Sequence, residues 1–222
     1  MMIRKRTLHI LNGQAMYNFF KRTNFLEQEL MVPFNEAMCY GKTYNDLFSN
    51  EFIEIRAKVH HVTPVKYSET ILKPLVPLFS EKFTHITLWF DADMFCQINI
   101  LSLLAWLEQT DRTGAIDLYI VGDQFEPMSH FTLKAKGYYA IYKQVLIDKK
   151  MPENIYPDLL KKGVELYLNY LNNDSDLMMY IHKYKDVPEE ELMLALIKKF
   201  KHYGLGDTQY FEIMKSLRQK HQ

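Results

Sequence analysis

The chain has 222 residues, which is enough for one large α/β domain or for a medium-sized domain with a helical extension. Its 27 Lys and Arg residues balance 27 Asp and Glu residues, so no overall positive charge favours nucleic acid or anionic lipid as a partner. Apolar residues make up 48% of the chain, with only eight glycines and eight prolines, a composition that excludes a disordered protein.

The cysteines and the N-terminus bear on the cellular compartment. Neither Cys39 nor Cys96 belongs to a CxxC pair, which argues against a disulfide framework or a structural zinc site and favours a cytoplasmic protein with free thiols. The basic start MMIRKR is followed by a short apolar stretch that His9 and Asn12 interrupt, so we expect no secretory signal. No apolar run approaches the roughly 18 to 20 residues that span a bilayer, so we expect no membrane partner.

The first half of the chain alternates patterns typical of strands and helices. Runs rich in β-branched and aromatic residues indicate strands, and apolar residues three and four positions apart indicate helices. In chain order they predict a strand over 7–11, a helix over 14–23, a strand over 29–34, and helices over 43–62 and 68–83. Pro33 restricts the second strand to an edge or a strand end. The helix over 43–62 is either continuous or broken near Ser49 and Asn50. Pro64 is expected to end it, and Ser68 to cap the next one. Pro74 and Pro77 would kink or shorten that helix.

The segment HITLWFDADMFCQINILSLLAWL, residues 85–107, combines a strand over 85–90, an acidic junction and a helix that is apolar on every face. A helix of that kind must be enclosed. A further apolar strand follows over 115–121, AIDLYIV. Alternating apolar strands and helices predict a Rossmann-like α/β fold, with an open, mostly parallel sheet of about four to five strands covered by helices.

Beyond about residue 132 the patterns are helical only. They predict helices over 156–171 and 174–184, a helix that begins at Glu189 and ends before Gly204, and a last helix capped by Asp207 or Thr208. We therefore divide the chain into a Rossmann-like domain, 1–130, and an all-helical extension, 131–222, packed on it. A homo-oligomer would form through this extension.

Polar residues follow each predicted strand, at the sheet edge where open parallel sheets bind ligands. They are Asn12, Gly13 and Gln14 after the first strand, Asn35 and Glu36 after the second, Asp91 and Asp93 after the third, and Asp123 after the fourth. Asp91 and Asp93 either cap the following helix, which is worth roughly 1 kcal/mol, or bind a divalent ion or act as a general base. Cys96 is either a small buried residue or an activated thiol. His9 is either a core histidine or a functional one.

Three segments, LHILNG, NEAMCYGK and LWFDADMFCQINILSLLAWL, resemble in order and spacing the bacterial proteins that carry the domain of unknown function 1835, over about residues 7–125. HYGLGDTQYFEI resembles a segment near the C-terminus of such proteins. The resemblance implies that the recurrent polar positions of the family are His9, Asn12, Gly13, Glu36, Asp91, Asp93, Gln97 and Asn99. A cluster drawn from three strand ends favours a ligand site over three independent helix caps.

The chain also departs from the pattern that the resemblance implies. Gln14 stands where relatives usually carry an acidic residue, and Asn35 stands where they carry arginine. Tyr40 and Lys42 replace an expected acid and proline. If the first two positions supply a metal ligand and an anion clamp, that chemistry is weakened or altered in this chain.

These observations predict a protein that binds a small nucleotide-like or phosphorylated metabolite at the strand ends, with Mg²⁺ as the candidate cofactor. If it is an enzyme, Asp91 and Asp93 bind the metal or act as general base and Glu36 assists. The predicted ligand-binding residues are His9, Asn12, Gly13, Gln97 and Asn99. The alternative is a non-catalytic regulatory or protein-interaction module, which the departures at positions 14 and 35 favour. A Toprim-like nuclease or primase ranks last, because it requires glutamate where this chain has Gln14.

Overall fold

The computed structural model describes residues 6–80, 83–112 and 114–219. In this part of the chain one sheet contains β1 (Thr7–Asn12), β2 (Leu30–Phe34), β3 (His85–Phe90), β4 (Ala115–Val121) and β5 (Pro127–Leu133). The strand order is β2-β1-β3-β4-β5; the first four strands run parallel, and β5 is antiparallel to β4. The predicted Rossmann-like α/β fold is confirmed, and the four predicted strands begin and end within one residue of the observed ones.

The helices that connect the strands are α1 (Gly13–Thr23), α2 (Asn50–Val59), α3 (Pro64–Tyr67), α4 (Val76–Ser80) and α5 (Met94–Gln109). A π-helical turn, Ser68–Leu72, and a 3-10 turn, Lys73–Leu75, join α3 to α4. After β5 come α6 (Tyr138–Tyr142), a π-helical turn (Lys143–Ile147), α7 (Asp158–Tyr170), α8 (Asp176–Lys183), α9 (Glu189–Lys199), a 3-10 turn (Lys201–Tyr203) and α10 (Asp207–Gln219). Within the described residues, no helix combines the length and the apolar character that a bilayer span requires.

Helices cover the sheet on both faces. α1 packs on one face, where Leu11, Met16 and Trp89 belong to a small apolar cluster. α5 lies on the other face within the larger core and is buried from Met94 to Leu107 except at Phe95, as its all-round apolar sequence predicts. The same core includes residues of α6 to α10, so the C-terminal helices pack against the sheet layer. The predicted domain boundary at residue 130 falls within β5.

Two helix predictions are wrong in their boundaries. In the helix predicted over 43–62, the chain is helical only after the alternative break near Ser49 and Asn50: α2 begins at Asn50, because the Ser49 hydroxyl accepts from the amide of Phe52 and caps the helix there. Pro64 begins the next helix and does not end the previous one, since proline at the first helical position loses no intrahelical hydrogen bond. Thr63 caps this helix by accepting from the amide of Lys66 at 3.2 Å.

The helical run that begins at Pro64 continues through Ser68, which is therefore not the predicted cap. The π and 3-10 turns accommodate the prolines that were expected to kink this region. The predicted end at Phe83 is wrong, because Phe83 is not helical; residues 81–82 lie outside the described residues. Strand β5 was not predicted, because most of its side chains are exposed and it lacks an apolar pattern.

Candidate functional site

The crevice at the carboxyl edge of the sheet lies between β1 and β3. The chain leaves β1 toward β2 on one side and leaves β3 toward β4 on the other, and the following helices α1 and α5 cover opposite faces. Such a reversal of direction opens a crevice where α/β proteins bind ligands. Here the Asn12 side-chain amide donates to Asp91 Oδ2 at 2.7 Å. Asn12 and Asp91 therefore meet across the crevice, although 79 residues separate them.

Asp91 and Asp93 have different partners. Asp93 is the N-cap of α5, and its Oδ1 accepts from the Cys96 amide at 2.8 Å. Asp91 does not cap the helix; besides the Asn12 amide, its Oδ2 accepts from the Cys96 thiol at 3.8 Å. Burial raises the pKa of both carboxyl groups above the ordinary range, and the hydrogen bonds only partly offset this.

Cys96 fits the buried, unreactive alternative. Its sulfur accepts from the Asn12 side chain at 3.0 Å and is almost fully shielded from solvent. Burial, together with the charges of Asp93 and Asp91, raises the pKa of the thiol well above its ordinary value. A reactive thiol requires a lowered pKa, so the activated-thiol hypothesis is not supported.

A cleft of about 780 Å³ opens beyond the ends of β3 and β4. The sheet side contributes Asp91, Ala92, Asp93, Val121 and Asp123. The C-terminal helices contribute Leu159, Lys162, Leu166, Ile197, Lys199, Lys201, His202, Gly204 and Leu205. One wall is therefore acidic and the other is basic, with apolar side chains between them. Lys201 links the two walls by an exposed ion pair with Asp123, in which its Nζ atom lies 3.0 Å from Oδ1 and 3.1 Å from Oδ2.

Two glycines allow the helical extension to approach the site closely. A Cβ on Gly204, which has a φ of +66°, would lie 2.3 Å from Asp93 Cγ. A Cβ on Gly163 of α7 would lie 2.3 Å from Gln97 Cβ. Each distance is shorter than a van der Waals contact, so only glycine permits this approach without movement.

Asn12, Gly13 and Gln97 do not line the cleft. The Gln97 side-chain amide donates to the Asp91 carbonyl at 2.9 Å, which fixes the loop that carries Asp91. Its Oε1 atom is buried and has no hydrogen bond in the described part of the chain. Gly13, with a φ of +76°, lets the chain turn from β1 directly into α1.

Glu36 lies outside the cleft in a buried polar cluster. Its Oε1 atom accepts from Arg56 and the Ala37 amide at 2.7 Å and pairs with His60 Nε2 at 2.6 Å. Its Oε2 atom accepts from the Tyr67 hydroxyl. Burial opposes ionisation, but Arg56 and His60 hold the pKa of Glu36 well below its ordinary range. With these partners, the carboxylate has a structural role, so its expected assistance in catalysis gains no support from this geometry.

His9 and Asn99 also have internal partners. Asn99 is fully buried on α5, donates to the Glu36 carbonyl at 2.8 Å and accepts from the Met38 amide at 3.0 Å. His9 lies in the middle of β1 on the α1 face, where its Nδ1 accepts from the Trp89 indole at 3.1 Å. Both side chains therefore stabilise the scaffold, and neither lines the cleft.

The sequence prediction missed the basic wall of the cleft. Lys162, Lys199 and Lys201 are exposed lysines on or next to amphipathic helices, where charge ordinarily indicates only a solvated surface. One signal was available: the segment HYGLGDTQYFEI contains His202 and Gly204, which line the cleft.

The described residues contain no group of three or more His, Cys, Asp and Glu side chains arranged to hold a metal ion. Mg²⁺ sites commonly use one or two carboxylates together with phosphate oxygens of a substrate. Asp91 and Asp93 supply that number, but the hydrogen bond by which Asp93 caps α5 weakens it as a ligand. The residues therefore fit an ion shared with a bound phosphate better than an ion held by the protein alone.

Comparison with known proteins identifies no family for this chain. No family model matches it, and no curated protein matches it significantly. The resemblance to proteins with the domain of unknown function 1835 stays a prediction, so function is inferred from the cleft.

Proposed function

We propose that the protein binds a small phosphorylated or nucleotide-like metabolite in the cleft at the carboxyl ends of β3 and β4. The observation that supports this is that one cleft has the partly buried Asp91 on one wall and three lysines, Lys162, Lys199 and Lys201, on the other. Lysine ammonium groups bind phosphate oxygens by charge-assisted hydrogen bonds. A neutral hydroxyl or amine of the ligand then donates to Asp91, and the apolar side chains contact its carbon skeleton.

If the ligand is transformed, Asp91 is the candidate general base. It lines the cleft, and burial raises its pKa, which makes a carboxylate a stronger base. Asn12 orients it through the 2.7 Å hydrogen bond. Any Mg²⁺ would be held by Asp91 and Asp93 together with the ligand, where it would neutralise phosphate charge.

The alternative proposal is a non-catalytic module in which the same cleft binds a ligand without transforming it. Two observations favour it: Asp93 is engaged as a helix cap, and Cys96 is a buried thiol with a raised pKa. Of the two predicted catalytic residues that line the cleft, Asp91 is then the one that is not engaged as a helix cap. For either function we propose a cytoplasmic location, which the buried free thiols of Cys39 and Cys96 support.

Calorimetric titration with inorganic phosphate, nucleoside phosphates and sugar phosphates tests the proposal, with Lys162→Ala compared with Lys161→Ala. Both lysines are exposed on α7, but only Lys162 lines the cleft. We expect at least one phosphorylated compound to bind, and K162A to weaken it about tenfold, since a charge-assisted hydrogen bond contributes roughly 1.5–3 kcal/mol. Absence of binding across the panel, or equal effects of the two substitutions, would contradict the proposal.

A further inference from the structure

A second cleft, with a volume of about 420 Å³, adjoins the cleft of the proposed site. Lys199 and His202 line both clefts, so the two meet at these side chains. The other residues that line the second cleft belong to α8 or directly follow α9; they are Asp176, Met179, Tyr180, Lys183 and Phe200. We call it the aromatic cleft. A ligand bound at the basic wall of the first cleft enters the aromatic cleft if it extends past Lys199 and His202.

The aromatic cleft suits a flat, apolar ring. The Tyr180 and Phe200 rings pack edge to face, with centroids 5.6 Å apart and planes at 76°. Tyr180 is only half-buried, and the neighbouring Met179 side chain is exposed. Nucleobases stack on aromatic side chains, and a thioether also contacts rings favourably. The exposed carboxylate of Asp176 in the same cleft can accept from the N–H groups of a base.

The side chains at the junction separate a charged region from an aromatic one. Lys199 Nζ lies 5.3 Å from the centroid of the Tyr180 ring and 5.8 Å from that of Phe200, so this ammonium group borders both regions. Burial and the nearby charge of Lys162 lower the pKa of His202. Its imidazole is therefore uncharged at neutral pH. The lysines of the basic wall lie on one side of His202, and the aromatic rings lie on the other.

We propose that the ligand is a nucleoside phosphate, with its phosphate at the basic wall of the first cleft and its base against Tyr180 and Phe200 in the aromatic cleft. This inference rests on the proposed function, because it uses the same lysines for the phosphate. A sugar phosphate would leave the aromatic cleft empty. In a nucleotide, the base, the ribose and the phosphate would lie at the aromatic rings, at His202 and at the lysines, in that order.

Calorimetric titration with AMP, GMP, CMP, UMP and ribose 5-phosphate tests this inference, because ribose 5-phosphate carries the phosphate without a base. We expect at least one nucleotide to bind about tenfold more tightly than ribose 5-phosphate, since stacking of the base adds affinity. Equal dissociation constants for ribose 5-phosphate and all four nucleotides would overturn the inference and leave the proposed function standing. Absence of binding by all five compounds would contradict both.

Tyr180→Leu locates the base, with Tyr17→Leu as the matched control. Leucine keeps the apolar packing of the helix but has no aromatic face, so Y180L should weaken the nucleotide about tenfold and leave ribose 5-phosphate unchanged. Tyr17 is also half-buried on a helix and lies beneath a lysine, Lys21 at 5.8 Å, but α1 covers the opposite face of the sheet. Circular dichroism checks that both variants fold. Equal effects of Y180L and Y17L on the nucleotide, or an equal loss of ribose 5-phosphate in Y180L, would overturn the inference.

Discussion

Glu36 and Asp91 show how two carboxylates that follow strands of the same sheet, β2 and β3, acquire different roles. Glu36 is 1% exposed and bonds to Arg56, His60 and Tyr67. Arg56 in turn donates to the carbonyls of Ala37, Tyr40 and Lys42, so the pair holds the loop after β2 in place. Asp91 keeps partial exposure and faces the cleft. Full burial with three partners makes Glu36 structural. Partial exposure in the cleft leaves Asp91 available to a ligand.

Arg56→Met should destabilise the fold strongly, because it leaves the Glu36 carboxylate buried without its main cation. Removal of one partner of a buried ion pair costs about 3–5 kcal/mol of unfolding free energy. The double variant Glu36→Gln/Arg56→Met should lose much less than the sum of the two single substitutions. Urea denaturation of the natural chain, the two single variants and the double variant measures the unfolding free energy of each. A loss below about 1 kcal/mol for R56M would show that the pair does not stabilise the loop.

The Glu36 cluster should also make stability sensitive to acid. The pKa of Glu36 is lower in the folded protein than the ordinary value of 4.5, so its stabilising contribution is present above the unfolded pKa and is lost as the pH falls toward the folded value. We expect the unfolding free energy of the natural chain to fall more steeply below about pH 4.5 than that of E36Q/R56M. Parallel curves from denaturant titrations at successive pH values would contradict this assignment.

At the level of secondary structure, the 3-10 turn before Gly204 places the basic wall of the cleft against Asp93. Gly204→Ala should weaken this contact, because it introduces a Cβ at 2.3 Å from Asp93 Cγ and strains a residue with a φ of +66°. We expect a loss of about 1–2 kcal/mol in unfolding free energy and weaker ligand binding in the cleft. Gly206→Ala is the control, since its Cβ would meet only a side-chain oxygen at 3.2 Å and its φ is ordinary. Equal losses in the two variants, measured by thermal unfolding, would refute the close-approach argument.

The elements differ in how far their sequences predict them. β3 and α5 are buried, so their apolar patterns identify both the strand and the enclosed helix. β5 is missed because an exposed edge strand needs no apolar face, and its main stabilisation is backbone pairing with β4. Helix α3 is missed because Pro64 ends some helices and begins others, and only the Thr63 cap distinguishes the two cases.

The sequence predicts only part of the candidate site. The junction after β3 indicates Asp91 and Asp93, because carboxyl ends of parallel strands share one edge. Sequence does not reveal that Glu36 is neutralised by Arg56, which lies 20 residues further along the chain. Nor does it show which exposed lysines face the cleft. The first assignment depends on how α2 packs against the loop after β2, and the second on how the C-terminal helices pack against the sheet. Local sequence patterns encode neither.

In the whole molecule, the sheet and the C-terminal helices together form both the walls of the cleft and one apolar core. α7 approaches α5 so closely at Gly163 that a Cβ would lie 2.3 Å from Gln97 Cβ, and one apolar core includes residues of both parts. α5 is apolar on every face, so it needs cover from the extension as well as from the sheet. We therefore expect the full chain to unfold in one cooperative transition.

A fragment that ends at residue 135, just after β5, should not fold cooperatively. Without the C-terminal helices, the buried side of α5 is exposed to water, and such a surface is typical of a compact state with fluctuating packing. We expect the fragment to retain far-ultraviolet dichroism, to bind an apolar dye and to lose its near-ultraviolet signal, whereas the full chain keeps that signal. A fragment with a sharp unfolding transition and no dye binding would instead establish residues 1–135 as an independent domain. The helical extension would then be an addition to a sheet that folds without it.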